Sequence, residues 1–183
     1  MTDLVFRDAT PDDIPTILAI CDAGAAEGPR RVDPATYADP RYRAAFDAIA
    51  ADPNHRLVVV ERDGETIATL QLSFLPGMTR LGMWRCVLEN VHVRADRRGG
   101  GIGSRMVRWA IERARERGVG MVQLTSNKVR IDAHRFYRTL GFEQSHEGFK
   151  LMLDSPEDVY LESAGATLVE WDSPEDEAAY RDL

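Results

Sequence analysis

The order of apolar and polar positions predicts a short strand, two helices, three strands, a strand framed by two more helices, and a last strand. Leu4-Val5-Phe6-Arg7 is an apolar run of strand type. Thr10-Pro11-Asp12-Asp13 reads as a helix start, with Thr10 as N-cap, Pro11 in the first helical position and acids in the first turn. Ile14, Ile17, Leu18 and Cys21 then recur at helical spacing. Gly24 to Pro40 is broken by glycines and prolines into loop and helix fragments, and Tyr42 to Ala51 returns to helix. The β-branched run Leu57-Val58-Val59-Val60, the turn pair Asp63-Gly64 and the alternation from Thr66 to Phe74 predict a hairpin. Pro76-Gly77 ends it, and Trp84 to Val93 is a further strand. Ser104 to Arg117 is amphipathic, with Met106, Val107, Ala110, Ile111 and Ala114 on one face and Gly118 as its stop. Met121 to Leu124 is a buried type of strand, Ala133 to Leu140 a short helix closed by Gly141, and Phe149 to Leu153 a final strand. This order predicts a mixed α/β (α+β) fold: a mostly antiparallel sheet with one central strand–helix–strand crossover.

Composition narrows the class without naming a chemistry. The 183 residues suit one domain with a sizeable core, and 44% hydrophobic with 29% charged residues is ordinary for a globular protein. No run approaches the roughly 18 apolar residues of a membrane helix, and Met1-Thr2-Asp3-Leu4 does not open a secretory signal. A cytoplasmic setting without membrane attachment is the expectation. Cys21 and Cys86 have no metal-type spacing, so idle thiols and no metal are expected. The net charge of −7 is uneven: residues 154–183 hold ten acids against one Arg, which leaves residues 1–153 near neutrality. No basic stripe with interleaved aromatics suggests nucleic acid. The expected organisation is a body over 1–153 and an acidic extension over 154–183. That extension carries Ser-Pro-Glu-Asp twice and enough apolar residues, Trp171 among them, to be ordered. It is expected to pack on the body or on a second subunit, which leaves a homodimer open.

The strongest local signal is Val91-His92-Val93-Arg94-Ala95-Asp96-Arg97-Arg98-Gly99-Gly100-Gly101-Ile102-Gly103-Ser104, a strand entering a glycine-rich turn that opens into a helix. Such a turn leaves unpaired N–H groups at a helix N-terminus, where the dipole favours negative charge, so a pyrophosphate fits there. Arg97 and Arg98 add positive charge. The P-loop pattern fails because no Lys follows Gly103, and the dinucleotide pattern fails because Ser104 or Met106 stands at its third glycine. A purely structural glycine turn remains as the plain reading of these residues alone.

Arg98-Gly99-Gly100-Gly101-Ile102-Gly103 resembles the acetyl-CoA-binding signature Arg/Gln-x-x-Gly-x-Gly/Ala of the GNAT superfamily of N-acetyltransferases. Asn127, followed by Ala133-His134-Arg135-Phe136-Tyr137-Arg138-Thr139-Leu140-Gly141-Phe142, is similar to the family's second motif, an Asn and a short helix ending in Tyr and Leu-Gly-Phe. The likeness spans roughly residues 4–153. It implies a GNAT-type acyl-CoA N-acyltransferase fold and acetyl-CoA as cosubstrate. It also implies cofactor contacts from Val91, His92, Val93, Arg98, Gly99, Gly100, Gly101, Ile102, Gly103, Ser104, Asn127, Ala133 and Phe136. Main-chain groups of Val91 to Val93 would pair with the pantetheine arm. Asn127 has two readings, a hydrogen bond to the pantetheine or the cap of the helix that follows.

Acetylation of an amine by a thioester sets three needs. The amine, with a pKa near ~10.4, must lose a proton; the oxyanion needs donors; the thiolate benefits from an acid. Tyr137 is the candidate acid, since a phenol with a pKa of ~10 stays protonated at neutral pH. Its plain alternative is a core aromatic beside Phe136. Glu89, in Val87-Leu88-Glu89-Asn90-Val91-His92-Val93, is the candidate base, because the resemblance implies a Glu on this strand that takes the amine proton directly or through an oriented water; its plain alternative is an exposed side chain or one paired with an Arg. Regular alternation would put Glu89, Val91 and Val93 on one face and Asn90 and His92 on the other, which makes His92 the weaker base candidate. Arg30, Arg31, Arg41, Arg43 and Arg80 read first as a solvated surface. Their second reading is recognition of a carboxylate or phosphate on the acceptor. The leading expectation is acetyl transfer to the primary amine of a small molecule. A protein lysine or N-terminus, and a non-catalytic acyl-CoA-binding regulatory module, stand as alternatives.

Overall fold

A computed structural model describes residues 3–26, 28–151 and 153. The chain divides into two units, residues 1–145 and 146–183, and all the elements named here belong to the first. They are β1 (Val5–Asp8), α1 (Ile14–Ala23), α2 (Pro40–Ala51), β2 (His55–Arg62), β3 (Glu65–Leu75), α3 (Thr79–Gly82), β4 (Arg85–Val93), α4 (Ile102–Glu116), β5 (Met121–Leu124) and α5 (Ile131–Thr139). The strands form one five-stranded sheet in the order β1-β2-β3-β4-β5. The first four are antiparallel; β4 and β5 run parallel, joined by α4 as the expected crossover.

Local chemistry accounts for the borders. Asp63 and Gly64 both have positive φ, 55° and 77°, the conformation a two-residue hairpin needs to follow strand twist. Gly118 and Gly141, at φ 74° and 89°, end α4 and α5. At the first helix, Pro11–Asp13 form a 3-10 turn before α1. The Asp13 carboxylate accepts from the Thr10 N–H at 2.7 Å and the Thr10 hydroxyl at 2.9 Å, while Arg7 grips both of its oxygens. Arg7 also reaches Glu61 on β2, so one guanidinium ties β1, β2 and the helix start together.

One core cluster joins Val58, Val60, Ile67, Leu70, Leu72, Phe74, Cys86 and Leu88 of the sheet to Met106, Val107, Ala110 and Ala114 of α4. Phe6 on β1 stacks on Trp109 of α4 with centroids 4.9 Å apart, which carries the helix across to the sheet's first strand. The opposite sheet face takes α1 against β3 and β4, and α2 against β2. Both cysteines are free, and burial raises their thiols to about 12 for Cys21 and about 11 for Cys86.

The second unit corrects one expectation. Phe149, Lys150, Leu151 and Leu153 carry no strand. Alternating apolar residues supply a face, but a strand also needs hydrogen bonds to a neighbouring strand, which alternation does not specify. The readings made for residues 154–183 lie outside the described residues.

Candidate active site

Strand β4 is irregular where the sequence places its functional residues. Glu89 pairs with Gln71 of β3 and His92 with Thr69, so Asn90 and Val91 together oppose Leu70 alone. Asn90 takes up the extra residue with φ at 51°, a left-handed conformation that Asn tolerates better than most residues. This β-bulge overturns the face assignment made by simple alternation. Glu89 and His92 share the face of Thr69, Gln71 and Ser73, while Leu88 and Val93 pair with Leu72 and Ala68 of the opposite face. The candidate base and the histidine are therefore neighbours on one surface.

The bulge also marks where β4 and β5 part. Their pairing runs from Arg85↔Met121 to Leu88↔Leu124 and stops, although β4 continues to Val93. Beyond Leu88, the β5 side of β4 is an open strand edge within the described residues. The Val93 carbonyl on this stretch accepts from Nε of Arg98 at 3.0 Å.

Past β4 the glycine turn leads into α4. Gly99 and Gly101 have φ of 84° and 71°, and a Cβ built on Gly99, Gly100 or Gly101 would meet nothing within 4 Å. Space and main-chain conformation are thus both available. Among the described residues, the N–H groups from Gly99 to Ser104 have no backbone or side-chain acceptor; the first closed helical bond there is Arg105 N–H to the Gly101 carbonyl. Such an array at the start of a 15-residue helix is suited to a diphosphate. Ile102 turns its side chain into the core at 2% exposure, so only its main chain is offered. Arg97 is held by Glu65 at 2.8 Å, and Arg94 pairs with the same carboxylate, so Arg97 is not a free cation at the turn. Arg98 folds back towards β4 and His92.

On α5, Phe136 lies against Gly103, with a ring atom 3.4 Å from where a Cβ would stand. Tyr137 meets Phe136 and Phe142 edge to face at 5.1 and 5.8 Å and is half-buried. Burial raises its phenol above the ordinary value, with nearby Arg130 pulling the other way, so the group is protonated at neutral pH. Asn127 shapes the turn before α5 rather than capping the helix, whose N-cap is Arg130: its Oδ1 accepts from the Val129 N–H at 3.1 Å, and its carbonyl accepts from the Arg130 N–H and contacts Nε2 of His134. Ala133 is half-buried on the same helix.

Across the cleft, His92 sits against the end of α1, where a Cβ on Gly24 would fall 2.3 Å from its Nδ1. Burial, then Arg130 and Arg98, push its imidazole down to about 4, so it is neutral at pH 7. Asp22 faces the same region, and its carboxylate accepts from the Tyr37 hydroxyl at 3.0 Å. Glu89 is exposed, as the plain reading of this residue allowed, and accepts from the Ser73 hydroxyl at 3.3 Å; Ser73 in turn contacts Nδ1 of His55 at 3.0 Å. Ser73, His55, Arg130 and Asp22 are missing from the sequence reading. Only the polar series Thr69, Gln71, Ser73 on a strand of Leu and Phe gave a signal. Of the five arginines read as an acceptor site, Arg43 pairs with Asp47 and Arg41 with Asp39, both within their own helix or its cap. Among the described residues, no group of three His, Cys, Asp or Glu side chains is arranged to hold a metal ion, and no helix is long and apolar enough to cross a membrane.

A sheet that opens between two parallel strands beside a glycine turn defines a class, and the comparisons agree with it. Residues 25–142 match the Acetyltransferase (GNAT) family, and the chain belongs to that family. It is an acetyl-transferring enzyme of mixed α/β fold, in a family that uses acetyl-CoA. The chain is 34% identical over 108 residues to the aminoalkylphosphonate N-acetyltransferase of Salmonella typhimurium, covering 59% of this chain and 70% of that one. It is 32% identical over 148 residues to the L-methionine sulfoximine/L-methionine sulfone acetyltransferase of Pseudomonas paraeruginosa, covering 76% and 80%. A crystal structure of a transcriptional regulator from Bacillus halodurans C-125 superimposes with a TM-score of 0.75 at 39% identity, over 82% of this chain and all of that one.

Proposed function

We propose that this enzyme transfers the acetyl group of acetyl-CoA to the primary amine of a small molecule that also carries an acidic group. The observation that carries the reading is the opening of β4 from β5 after Leu88, on the stretch that leads to a turn whose N–H groups from Gly99 to Ser104 have no acceptor among the described residues. In this reading the turn, with Arg98, Gly99, Gly100, Gly101, Ile102, Gly103 and Ser104, holds the diphosphate through main-chain donors. The strand edge at Val91, His92 and Val93 pairs with the pantetheine arm, and Ala133, Phe136 and Asn127 flank it from α5 and its approach. Glu89, itself or through a water it orients, takes the amine proton. Tyr137 returns a proton to the departing sulfur, a role its raised pKa suits because the phenol is in the donor form at neutral pH.

The acceptor class rests on two independent supports. The two acetyltransferase relatives are named for acceptors that join an amine to a phosphonate or an amino-acid carboxylate. In this chain Arg98 folds back towards His92, and the charges of Arg130 and Arg98 both disfavour a protonated His92, with Arg130 also lowering the Tyr137 phenol, which supports positive charge at this site. The acidic group of the acceptor would lie there. A thiol-release assay with acetyl-CoA and an amine panel tests this. Aminoalkylphosphonates and L-methionine sulfone are expected to turn over at least ~10-fold faster than alkyl amines of the same length without an acid. Equal rates for both groups would remove the acidic-acceptor reading, and no thiol release with any amine would remove the function.

A further inference from the structure

Three strands carry an unbroken polar line on the face that holds Glu89. His55 on β2 lies directly opposite Ser73 on β3, and Glu89 on β4 lies diagonally across from Ser73, opposite Gln71. Nδ1 of His55 is 3.0 Å from the Ser73 hydroxyl, which stands 3.3 Å from Oε2 of Glu89. Ser73 is 4% exposed, and its neighbours along β3 are Leu70, Leu72 and Phe74. Thr69, two pleats away, is also buried, but its hydroxyl donates to the Val58 carbonyl and is satisfied by the sheet itself. The Ser73 hydroxyl instead stands between two titratable side chains, with Nε2 of Gln71 also donating to its oxygen at 3.4 Å. At the outer end, Nε2 of His55 faces Asp52 at 3.7 Å, and His55 lines a surface pocket between β2 and α2 with Phe46, Ile49 and Ala50.

We propose that Ser73 and His55 are positioning residues for Glu89 that form a proton exit, carrying the proton taken from the acceptor amine across the sheet to the surface pocket between β2 and α2. The proposal rests on the reading of Glu89 as base. When Glu89 has taken the amine proton, its carboxyl O–H donates to Ser73 Oγ. The Ser73 hydroxyl gives its own proton to the lone pair on His55 Nδ1, and the proton on His55 Nε2 leaves to water beside Asp52. Rotation of the hydroxyl and a change of tautomer through water, in which Nε2 takes up a proton as Nδ1 gives one up, restore the starting state, with Glu89 ionised and one proton delivered to solvent. The charged groups around the outer end are Asp52 before β2, Asp8 of β1 held by Arg56, and Arg117 of α4, which reaches the Pro53 carbonyl and Asn54. The α2 side offers only Phe46, Ile49 and Ala50. Asp52 is therefore the one carboxylate aimed at the ring, and it favours the Nε2–H form that the transfer needs.

The test uses the full chain with Ser73→Ala, His55→Gln and Glu89→Gln, each checked for folding by its melting curve. Turnover is measured with acetyl-CoA and the best amine of the panel, in low and high imidazole buffer. Ser73→Ala and His55→Gln are expected to lower kcat by about 5–20-fold with the KM for acetyl-CoA unchanged. Imidazole is expected to restore much of that loss, because a small base can reach a carboxyl that has lost its exit. Gln at 55 keeps a hydrogen bond to Ser73 but cannot titrate, so a merely structural role would leave kcat intact. Full kcat in both variants, or a loss that imidazole does not restore, overturns the exit. Should Ser73→Ala fail to fold, His55→Gln carries the same decision from a more exposed site. Full turnover by Glu89→Gln removes the base and the exit together. Its loss beside intact Ser73→Ala and His55→Gln removes the exit alone.

Discussion

Tyr137 illustrates how burial and chemistry can point the same way. A phenol raised by burial is a poorer acid in water, yet it is held in its donor form, beside a cleft from which a thiolate would leave. Replacing it with Phe keeps the edge-to-face contacts with Phe136 and Phe142 and removes only the O–H. The Tyr137→Phe variant is expected to lose roughly 10–100-fold in kcat, with acetyl-CoA binding by calorimetry unchanged. A variant with parental turnover would take Tyr137 out of the chemistry. The place of Tyr137 on a short helix among Phe136 and Phe142 was legible in the sequence, because Phe136 and Leu140-Gly141-Phe142 have a fixed local spacing. Ser73 was not, because its partners His55 and Glu89 are 18 and 16 residues away and meet it only through strand register.

Among elements, those with a strong local signal formed where the sequence put them. The Asp63-Gly64 hairpin, the apolar stripe of α4 and the stop at Gly118 all depend on residues within one turn or one pair of each other. The β4 bulge depends instead on the pairing of β4 with β3, and no spacing in Val87 to Val93 announces it. That is why alternation assigned Glu89 and His92 to opposite faces, although the register puts them on the same one. The glycine turn lies between these cases: its shape was legible, but the diversion of Arg97 to Glu65, some 30 residues away, was not. At Gly101 the left-handed φ of 71° would cost a β-branched residue about 1–2 kcal/mol in strain, and its side chain would enter the space before the free N–H groups. Gly101→Val is therefore expected to raise the acetyl-CoA dissociation constant by at least ~10-fold in calorimetry. Binding equal to the parent's would show that the diphosphate lies elsewhere. A Gly24→Ala change tests the opposite wall: its Cβ would fall 2.3 Å from His92 Nδ1, so either α1 or the imidazole must move. The expected signature is a raised acceptor KM with the acetyl-CoA KM little changed.

For the whole molecule, two perturbed ionisable groups, half-buried His92 on β4 and buried Asp13 in the turn before α1, bear on how stability depends on pH, and their windows do not overlap. His92 is neutral in the fold, its pKa pushed down to about 4 from an ordinary 6.5 by burial and then by Arg130 and Arg98. Between those values the unfolded chain takes up a proton that the folded chain refuses, so stability falls as pH drops through this range. Asp13 is held at about 2 against an ordinary 3.8, chiefly by its hydrogen bonds from Arg7 and despite its burial. Its contribution is present above the unfolded value and is lost as pH falls from 3.8 towards 2. Melting curves from about pH 7.5 downwards should therefore show Tm declining first below about pH 6.5, then again below about pH 4. His92→Gln is expected to flatten the first decline and leave the second, because the amide does not titrate. Asp13→Asn is expected to lower Tm at neutral pH, where Arg7 loses a charged partner and the Thr10 cap weakens, by about 2–6 °C. Its curve should then converge with the parent's at the acid end. Curves that stay parallel across the whole range, for either variant, would show that the proton linkage lies on other groups and that these two sites act only through packing.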